Sequence, residues 1–252
     1  MSEPDVTVEQ YGQHVGVVTL HRPPNNFFDT DLLECIATAY EELDRSGWCR
    51  AIVLSSEGRN FCAGLDFAGN ADQDIAALYD AALRLFAAPL PVVAAVQGAA
   101  IGGGCGLALS ADFRVATAQS RFSANFARLG FHHGFALTVT LPAVVGRQAA
   151  ADLLLTGRRV GGGRALALGL CDRLADEGDL LAQALGYADE LAAAGPLAVR
   201  AIRATLRAGL VEEARQAMEH ECAEQTRLRG SADFAEGVRA AAERRDPAFR
   251  GA

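Results

Sequence analysis

The chain contains no lysine, because all 23 of its basic residues are arginine. A lysine Schiff base is therefore impossible, which excludes class I aldolase and pyridoxal-phosphate mechanisms. A phosphate-binding loop ending in Gly-Lys-Ser/Thr is excluded for the same reason, and with it the common ATPases and GTPases.

The sequence also lacks a basic cluster, a targeting segment and a long apolar run. With a net charge of −8, it has no concentrated positive face for the phosphates of nucleic acid or for an anionic membrane. The acidic start, residues 1–8, is not followed by a signal pattern, and no apolar run reaches the roughly 18 residues of a membrane span. We expect a cytoplasmic protein with neither a nucleic-acid nor a membrane partner.

Cysteine spacing gives no sign of a metal site. The six cysteines lie far apart, with no CxxC pair and no histidine at zinc-ligand spacing. We expect them to be reduced and packed as small apolar residues, although Cys62 and Cys105 fall inside glycine-rich segments.

The first half of the chain alternates predicted strands and helices. Alternating residues on either side of Gly12 predict a hairpin, and Asp29 or Thr30 is expected to cap a helix that runs to about Ser46. Buried strands are predicted at residues 50–55 and 92–96. This pattern favours an α/β layer architecture.

From about Gly134 onward the pattern is mostly helical. Residues 200–244 predict three short amphipathic helices. A chain of 252 residues can bury one sizeable core. We therefore expect one domain with a helical tail that packs on a neighbouring subunit.

Two glycine-centred segments follow predicted strands and precede predicted helices, at residues 58–66 (GRNFCAGLD) and 99–106 (AAIGGGCG). Open α/β folds gather ligands at such positions, and backbone amides there favour negative charge. One amide from each segment could hold a developing oxyanion, although either segment alone is as consistent with a tight turn. A dinucleotide fingerprint does not fit, because residues 102–107 lack the third glycine at its required offset.

The pair of segments resembles the two signature segments of the crotonase (enoyl-CoA hydratase/isomerase) family. Further matching stretches are residues 20–23, 154–158, 165–170, 231–237 and 243–245. The resemblance implies an α/β crotonase (ClpP/crotonase-like) fold of repeated ββα units. It implies a core over residues 1–195, a C-terminal helical trimerisation region over residues 196–252, and a trimer or a dimer of trimers.

The resemblance also implies an acyl-coenzyme A thioester as substrate, with no separate cofactor. Its carbonyl oxygen would accept hydrogen bonds from the amides of Leu65 and Gly103. Coenzyme A contacts are implied for Arg22, Ala63, Leu65, Asp66, Phe67, Ala68 and Arg244, with a helix N-cap as the alternative role of Asp66.

The sequence departs from the family where hydratases carry two catalytic glutamates. Gly106 and Phe126 occupy those positions and are expected in the substrate pocket, but neither residue can transfer a proton. Some family branches carry an aspartate at the position of Gly134. Its neighbours His132 and His133 are the acid/base candidates, with helix capping or a subunit contact as the alternative.

Two functions remain open at this point. One is an enzyme that stabilises a thioester enolate with non-standard acid/base groups, as a hydratase or other lyase, an isomerase or a C–C bond hydrolase. The other is a non-catalytic acyl-CoA binding or carrier protein. A serine nucleophile at Ser110 has no evident base and acid partners.

Overall fold

A computed structural model describes residues 4–66 and 74–252. The strands are β1 (Val6–Tyr11), β2 (Val15–Leu20), β3 (Ala51–Ser56), β4 (Val92–Val96), β5 (Ala99–Ile101), β6 (Phe113–Thr117), β7 (Arg121–Ser123), β8 (Val160–Gly161) and β9 (Arg173–Ala175). The helices are α1 (Thr30–Arg45), α2 (Ile75–Ala87), α3 (Gly103–Ser110), α4 (Leu137–Val145), α5 (Arg147–Thr156), α6 (Gly162–Leu168), α7 (Leu180–Ala193), α8 (Pro196–Leu206), α9 (Leu210–Arg229) and α10 (Ala232–Glu243). Two short 3₁₀ helices span Asn125–Leu129 and Glu177–Asp179.

The main sheet has the strand order β1-β2-β3-β4-β6-β9. The predicted hairpin is confirmed, because β1 and β2 pair antiparallel around Gly12, whose φ is +57°. The remaining neighbours are parallel, with Val15 opposite Ala51 and Ile52 opposite Val92. The carboxyl ends of β3 and β4, which lead into the two glycine segments, therefore lie side by side.

Both faces of the sheet are buried, because successive residues of a strand point to opposite sides. In β3, Ile52 and Leu54 join the larger core, whereas Ala51 and Val53 pack in a second cluster with α7. This two-sided burial explains why the parallel strands are continuous apolar runs.

Helix α1 begins where the sequence predicted. The Asp29 carboxylate accepts a hydrogen bond from the Leu32 amide at 2.9 Å, so Asp29 is the N-cap. The buried stripe of this helix includes Leu32, Ile36, Tyr40 and Leu43.

A second, small sheet of order β5-β7-β8 was not predicted from the sequence. Its strands are two or three residues long, too short for an alternating pattern to be recognised. Strand β5 pairs with β7 and leads directly into α3, so this sheet supports the second glycine segment.

Two of the three C-terminal helices, α8 and α9, contact the rest of the protein in different ways. Helix α9 has 20 residues, longer than predicted, and packs against α2 and α4 with Ala214 and Met218 buried. Helix α8 has no buried residue, and its Arg203 and the C-cap residue Arg207 pair with Asp112 at 2.9 and 2.8 Å. Within the two described ranges, no helix has the length and apolar character to cross a membrane.

Candidate functional site

The two glycine segments are joined by backbone hydrogen bonds. The Cys62 amide donates to the Ala99 carbonyl at 3.0 Å, and the Ile101 amide donates to the Cys62 carbonyl at 3.0 Å. These backbone hydrogen bonds hold the two segments side by side.

Gly64 allows the first segment to approach the second. Its φ is +86°, and a Cβ at this position would lie 2.8 Å from the Ile101 carbonyl oxygen and 3.3 Å from the Gly103 nitrogen. The Phe28 amide donates to the Gly64 carbonyl at 3.0 Å and fixes the turn from the other side. Only glycine combines this backbone conformation with such close contact.

The amides of Leu65 and Gly103 are both available for a ligand. Gly103 is the first residue of α3, where an N–H group has no partner within the helix. Across the part of the chain that the structure describes, neither amide donates a hydrogen bond to another protein group. Both residues line the same cavity.

That cavity has a volume of about 210 Å³ and mostly apolar walls. Its aromatic walls are Phe28, Phe126, Phe131 and Phe135, and its polar side chains are Tyr79, Asn125, Gln225 and Arg229. Among the described residues that line it, there is no aspartate, glutamate or histidine.

The predicted pocket position Gly106 lies behind one of these aromatic walls. A Cβ at Gly106 would lie 2.5 Å from the Phe135 Cβ, so Phe135 fills the space that a side chain at 106 would need. Gly106 is not itself among the lining residues, whereas the other predicted pocket residue, Phe126, is. Phe135 and Ala136 have φ of 63° and 56°, a left-handed conformation that is unusual for residues with a side chain.

The side chains of His132 and His133 are not among the groups that line the cavity. Their rings stack at 4.1 Å, and His133 Nε2 lies 2.8 Å from Thr138 Oγ1. Burial, with smaller contributions from His132 and His220, lowers the pKa of His133 to about 4. The His133 imidazole is therefore neutral at pH 7.

Glu221 holds the turn that carries Phe135 and Ala136. Its buried carboxylate accepts hydrogen bonds from the Ala136 amide at 2.8 Å and the Thr138 amide at 3.0 Å. Burial raises the pKa of Glu221, and the same hydrogen bonds oppose that rise. The anchor at the N-terminus of α4 is thus a residue of α9.

Sequence reasoning missed Tyr79, Glu221 and Gln225. The Tyr79 hydroxyl donates to Gln225 Oε1 at 3.0 Å, across a separation of 146 residues. A signal was present, because Glu221 and Gln225 are one turn apart on the buried stripe of α9 that includes Ala214 and Met218. Polar residues in a buried stripe are usually hydrogen-bonded, so their presence indicates specific polar contacts in the protein interior.

The predicted coenzyme A contacts fall in different surroundings. Ala63 and Leu65 line the cavity, Asp66 is half-buried, and Phe67 and Ala68 lie outside the described residues. Arg22 is engaged with Asp5 at 2.6 Å and Asp29 at 2.8 Å.

Arg244 lies in a second cleft of about 960 Å³. The other arginines of this cleft are Arg128, Arg158, Arg159 and Arg245. The cleft shares Asn125, Leu129 and Ala241 with the smaller cavity, so the two are adjacent.

The remaining candidates are inert in this structure. Burial raises the pKa of the Cys62 and Cys105 thiols to about 12, and all six cysteines are free. The buried Ser110 hydroxyl donates to the Leu107 carbonyl at 2.8 Å. No set of three or more His, Cys, Asp or Glu side chains suitable for a metal occurs in residues 4–66 and 74–252.

Comparison with known proteins finds the same family over the whole length. Residues 10–252 match the family model for enoyl-CoA hydratase/isomerase. A probable enoyl-CoA hydratase of Bacillus subtilis is 32% identical over 248 residues, covering 95% of this chain and 96% of the relative. A putative enoyl-CoA hydratase of Thermus thermophilus is 34% identical over 251 residues, covering 94% and 97%.

Solved structures agree with the sequence relatives. An enoyl-CoA hydratase/isomerase from Pseudoalteromonas atlantica superposes with a TM-score of 0.87 at 29% identity. The match covers 98% of this chain and 100% of that one. The predicted crotonase fold is confirmed.

Proposed function

The chain belongs to the enoyl-CoA hydratase/isomerase family, and from that premise we propose that it binds an acyl-CoA thioester with the carbonyl oxygen between the Leu65 and Gly103 amides. It is an enzyme of that family. In our proposal its reaction passes through a thioester enolate and uses acid/base groups other than the usual glutamates.

The observation that carries the proposal is the presence of two unpaired backbone donors, within the described chain, in the wall of one cavity. A thioester carbonyl that becomes an enolate gains negative charge on oxygen. Preformed N–H donors stabilise that charge by about 3 to 4 kcal/mol each in comparable sites. Because the donors are main-chain atoms, the leucine side chain at 65 does not interfere.

The acid/base part of the proposal rests on the fact that neither Gly106 nor Phe126 can transfer a proton. Both stand where the family resemblance places glutamates, and no carboxylate or imidazole lines the described part of the cavity. His132 and His133 remain our proposed proton-transfer groups. For His133 to act, its ring must leave the hydroxyl of Thr138, a contact of 2.8 Å.

For coenzyme A we propose contacts from Arg22, Ala63, Asp66, Phe67, Ala68 and Arg244, in addition to Leu65. The cluster of arginines in the cleft that contains Arg244 supports a phosphate-bearing ligand there, because guanidinium groups bind phosphate bidentately. The proposal invokes no resident cofactor or metal, since the thioester is the substrate.

We also propose a homo-oligomer, a trimer or dimer of trimers, assembled through residues 196–252. Helix α8 supports this, because Leu197 and Leu206 are 83% and 81% exposed. Exposed leucines on one helix favour burial against a second chain. Light scattering that gives the mass of a monomer would contradict this part.

The thioester site is tested with two variants that add the same Cβ, which in both meets the Phe28 ring at 2.4 Å, so that the comparison requires measurable turnover in Gly103→Ala and cancels this shared contact. Gly103→Ala keeps the amide hydrogen, whereas Gly103→Pro removes it, and proline is tolerated at the first position of a helix. Turnover is followed by mass spectrometry on a panel of enoyl, dienoyl and 3-oxoacyl thioesters. We expect Gly103→Pro to be slower than Gly103→Ala by about 10²- to 10³-fold. Equal rates for the two variants would refute the role of this amide.

A non-catalytic acyl-CoA carrier is the second candidate. It is favoured by the same observation that no carboxylate or imidazole lines the described cavity wall. The carrier predicts measurable affinity for acyl-CoA but no product from any thioester of the panel. Turnover of one substrate above the uncatalysed rate would exclude it.

A further inference from the structure

One hydrogen-bonded pair of polar side chains lies in the mostly apolar wall of the cavity, which Asn125 and Arg229 also line. Tyr79 extends from α2 and Gln225 from α9, and the Tyr79 hydroxyl donates to Gln225 Oε1 at 3.0 Å. Tyr79 is 8% exposed and Gln225 is 3% exposed, and both line the cavity.

The surroundings fix the orientation of the pair. Gln225 Nε2 donates to the His132 carbonyl at 3.0 Å, so Oε1 faces Tyr79. The hydroxyl proton of Tyr79 is used in its bond to Gln225, and the Phe135 amide is directed at one lone pair of Tyr79 Oη, which leaves the second lone pair as an acceptor. Gln225 Nε2 keeps a second hydrogen. The pair therefore offers a ligand one acceptor and one donor, neither of them charged.

Gly134 gives this pair its place in the cavity. A Cβ at Gly134 would lie 1.8 Å from Tyr79 Oη and 2.6 Å from Gln225 Nε2. Any larger residue at 134 would displace both groups. The hydrogen-bonded pair of Tyr79 and Gln225 therefore requires glycine at position 134.

Four phenylalanine rings form much of the remaining cavity wall. Phe28 lies 5.5 Å from Phe135, and Phe126 lies 5.5 Å from Phe131, in tilted pairs. Tilted and edge-to-face contacts are the favourable geometries between aromatic rings, so these four rings suit a further ring from a ligand.

We propose that Tyr79 and Gln225 form a subsite for a hydroxyl group carried on an aromatic acyl thioester. A hydroxyl donates one hydrogen bond and accepts others, which matches the acceptor on Tyr79 and the donor on Gln225. This inference rests on the proposed function, because it requires the thioester carbonyl to lie at Leu65 and Gly103 in the same cavity.

The test compares the affinities of benzoyl-CoA, 3-hydroxybenzoyl-CoA and 4-hydroxybenzoyl-CoA by isothermal titration calorimetry. The proteins are the full-length wild type, Tyr79→Phe, Gln225→Met and the control Tyr40→Phe. Tyr40 is a buried tyrosine of α1 that is not among the cavity-lining residues. Circular dichroism and thermal unfolding establish that each variant is folded.

We expect one hydroxylated isomer to bind wild type about tenfold more tightly than benzoyl-CoA, as one added hydrogen-bonded hydroxyl allows. This preference disappears in Tyr79→Phe, falls in Gln225→Met and is unchanged in Tyr40→Phe. An equal preference in wild type and Tyr79→Phe overturns the inference.

Failure of the inference is distinguishable from failure of the proposed function. Binding of butanoyl-CoA without preference for either hydroxybenzoyl isomer overturns the subsite alone. Absence of binding by all of these thioesters overturns the proposed function, and the subsite with it.

Discussion

The two sides of the cavity are built in different ways. The side we assign to the thioester is formed by backbone amides, those of Leu65 and Gly103, held by bonds between glycine segments. The acyl side is formed by side chains, with Phe126, Phe135 and the pair of Tyr79 and Gln225. A backbone site requires only that the chain can approach closely, whereas a side-chain site changes with every substitution. In our proposal the first side therefore keeps the pattern that the family resemblance implies, while the second departs from it.

The backbone side should be the more sensitive of the two to an added methyl group. A Cβ at Gly104 would lie 2.1 Å from the Cys62 carbonyl oxygen, and both atoms belong to rigid backbone. We expect Gly104→Ala to lower the free energy of unfolding, measured with urea, by about 3 kcal/mol.

Gly186 in α7 provides the matched control. A Cβ there would have no atom within 4 Å, and Ala is preferred within a helix. Gly186→Ala should raise the free energy of unfolding by about 0.5 to 1 kcal/mol. If both substitutions have the same effect, the close contact between the two glycine segments is not as described.

The turn that supports the acyl side should respond to pH through His133. Its pKa of about 4 in the folded protein lies below the ordinary histidine pKa of 6.5, so on acidification the unfolded chain takes up the proton first. The neutral His133 imidazole therefore contributes its full stabilisation of the folded state above pH 6.5, and this contribution is lost as the pH falls toward 4. Relative to His133→Gln, wild type should lose about 2 to 3 kcal/mol of unfolding free energy between pH 7 and pH 4.

Urea unfolding at a series of pH values measures this difference. The Glu221 carboxylate lies 3.8 Å from His133 Nε2, so the comparison measures the imidazole together with its coupling to Glu221. Parallel pH profiles for wild type and His133→Gln would show that the His133 ring is not buried as described.

The acyl side should show coupling between Gly106 and Phe135. Gly106→Ala introduces a Cβ that meets the Phe135 Cβ at 2.5 Å and two of its ring atoms at 2.8 Å, and Phe135→Gly removes all three. We expect the double variant to be more stable than the sum of the single effects by about 2 kcal/mol, in a double-mutant cycle of urea unfolding. Additive effects would mean that Phe135 does not fill the space at position 106.

A small effect is expected at Tyr40, away from both sides of the cavity. Its buried hydroxyl has no hydrogen-bond partner among the described residues. Tyr40→Phe removes a polar group that lost its water on folding, so we expect the free energy of unfolding to rise by about 1 kcal/mol. A fall of similar size would indicate that the Tyr40 hydroxyl has a partner after all.

Local sequence signals predicted the features that depend on neighbouring residues. The hairpin around Gly12, the cap at Asp29 and the meeting of the two glycine segments follow from alternation, capping chemistry and the parallel order of β3 and β4. The small sheet was missed because its strands are too short to show a pattern.

The acyl side could not be predicted in the same way. Its polar contact joins residues separated by 146 positions, and the left-handed conformations of Phe135 and Ala136 are ones that neither residue type favours. The sequence identified the segment of His132 and His133 but could not show that the His133 ring faces Thr138 and Glu221. The buried polar residues of α9 were the available signal for the missing contacts.

A structure of the protein bound to an unreactive acyl-CoA analogue would test the central claim most directly. Our account predicts the thioester oxygen at about 2.7 to 3.1 Å from both the Leu65 and the Gly103 nitrogen. A thioester oxygen bound elsewhere, or in contact with neither amide, would contradict it.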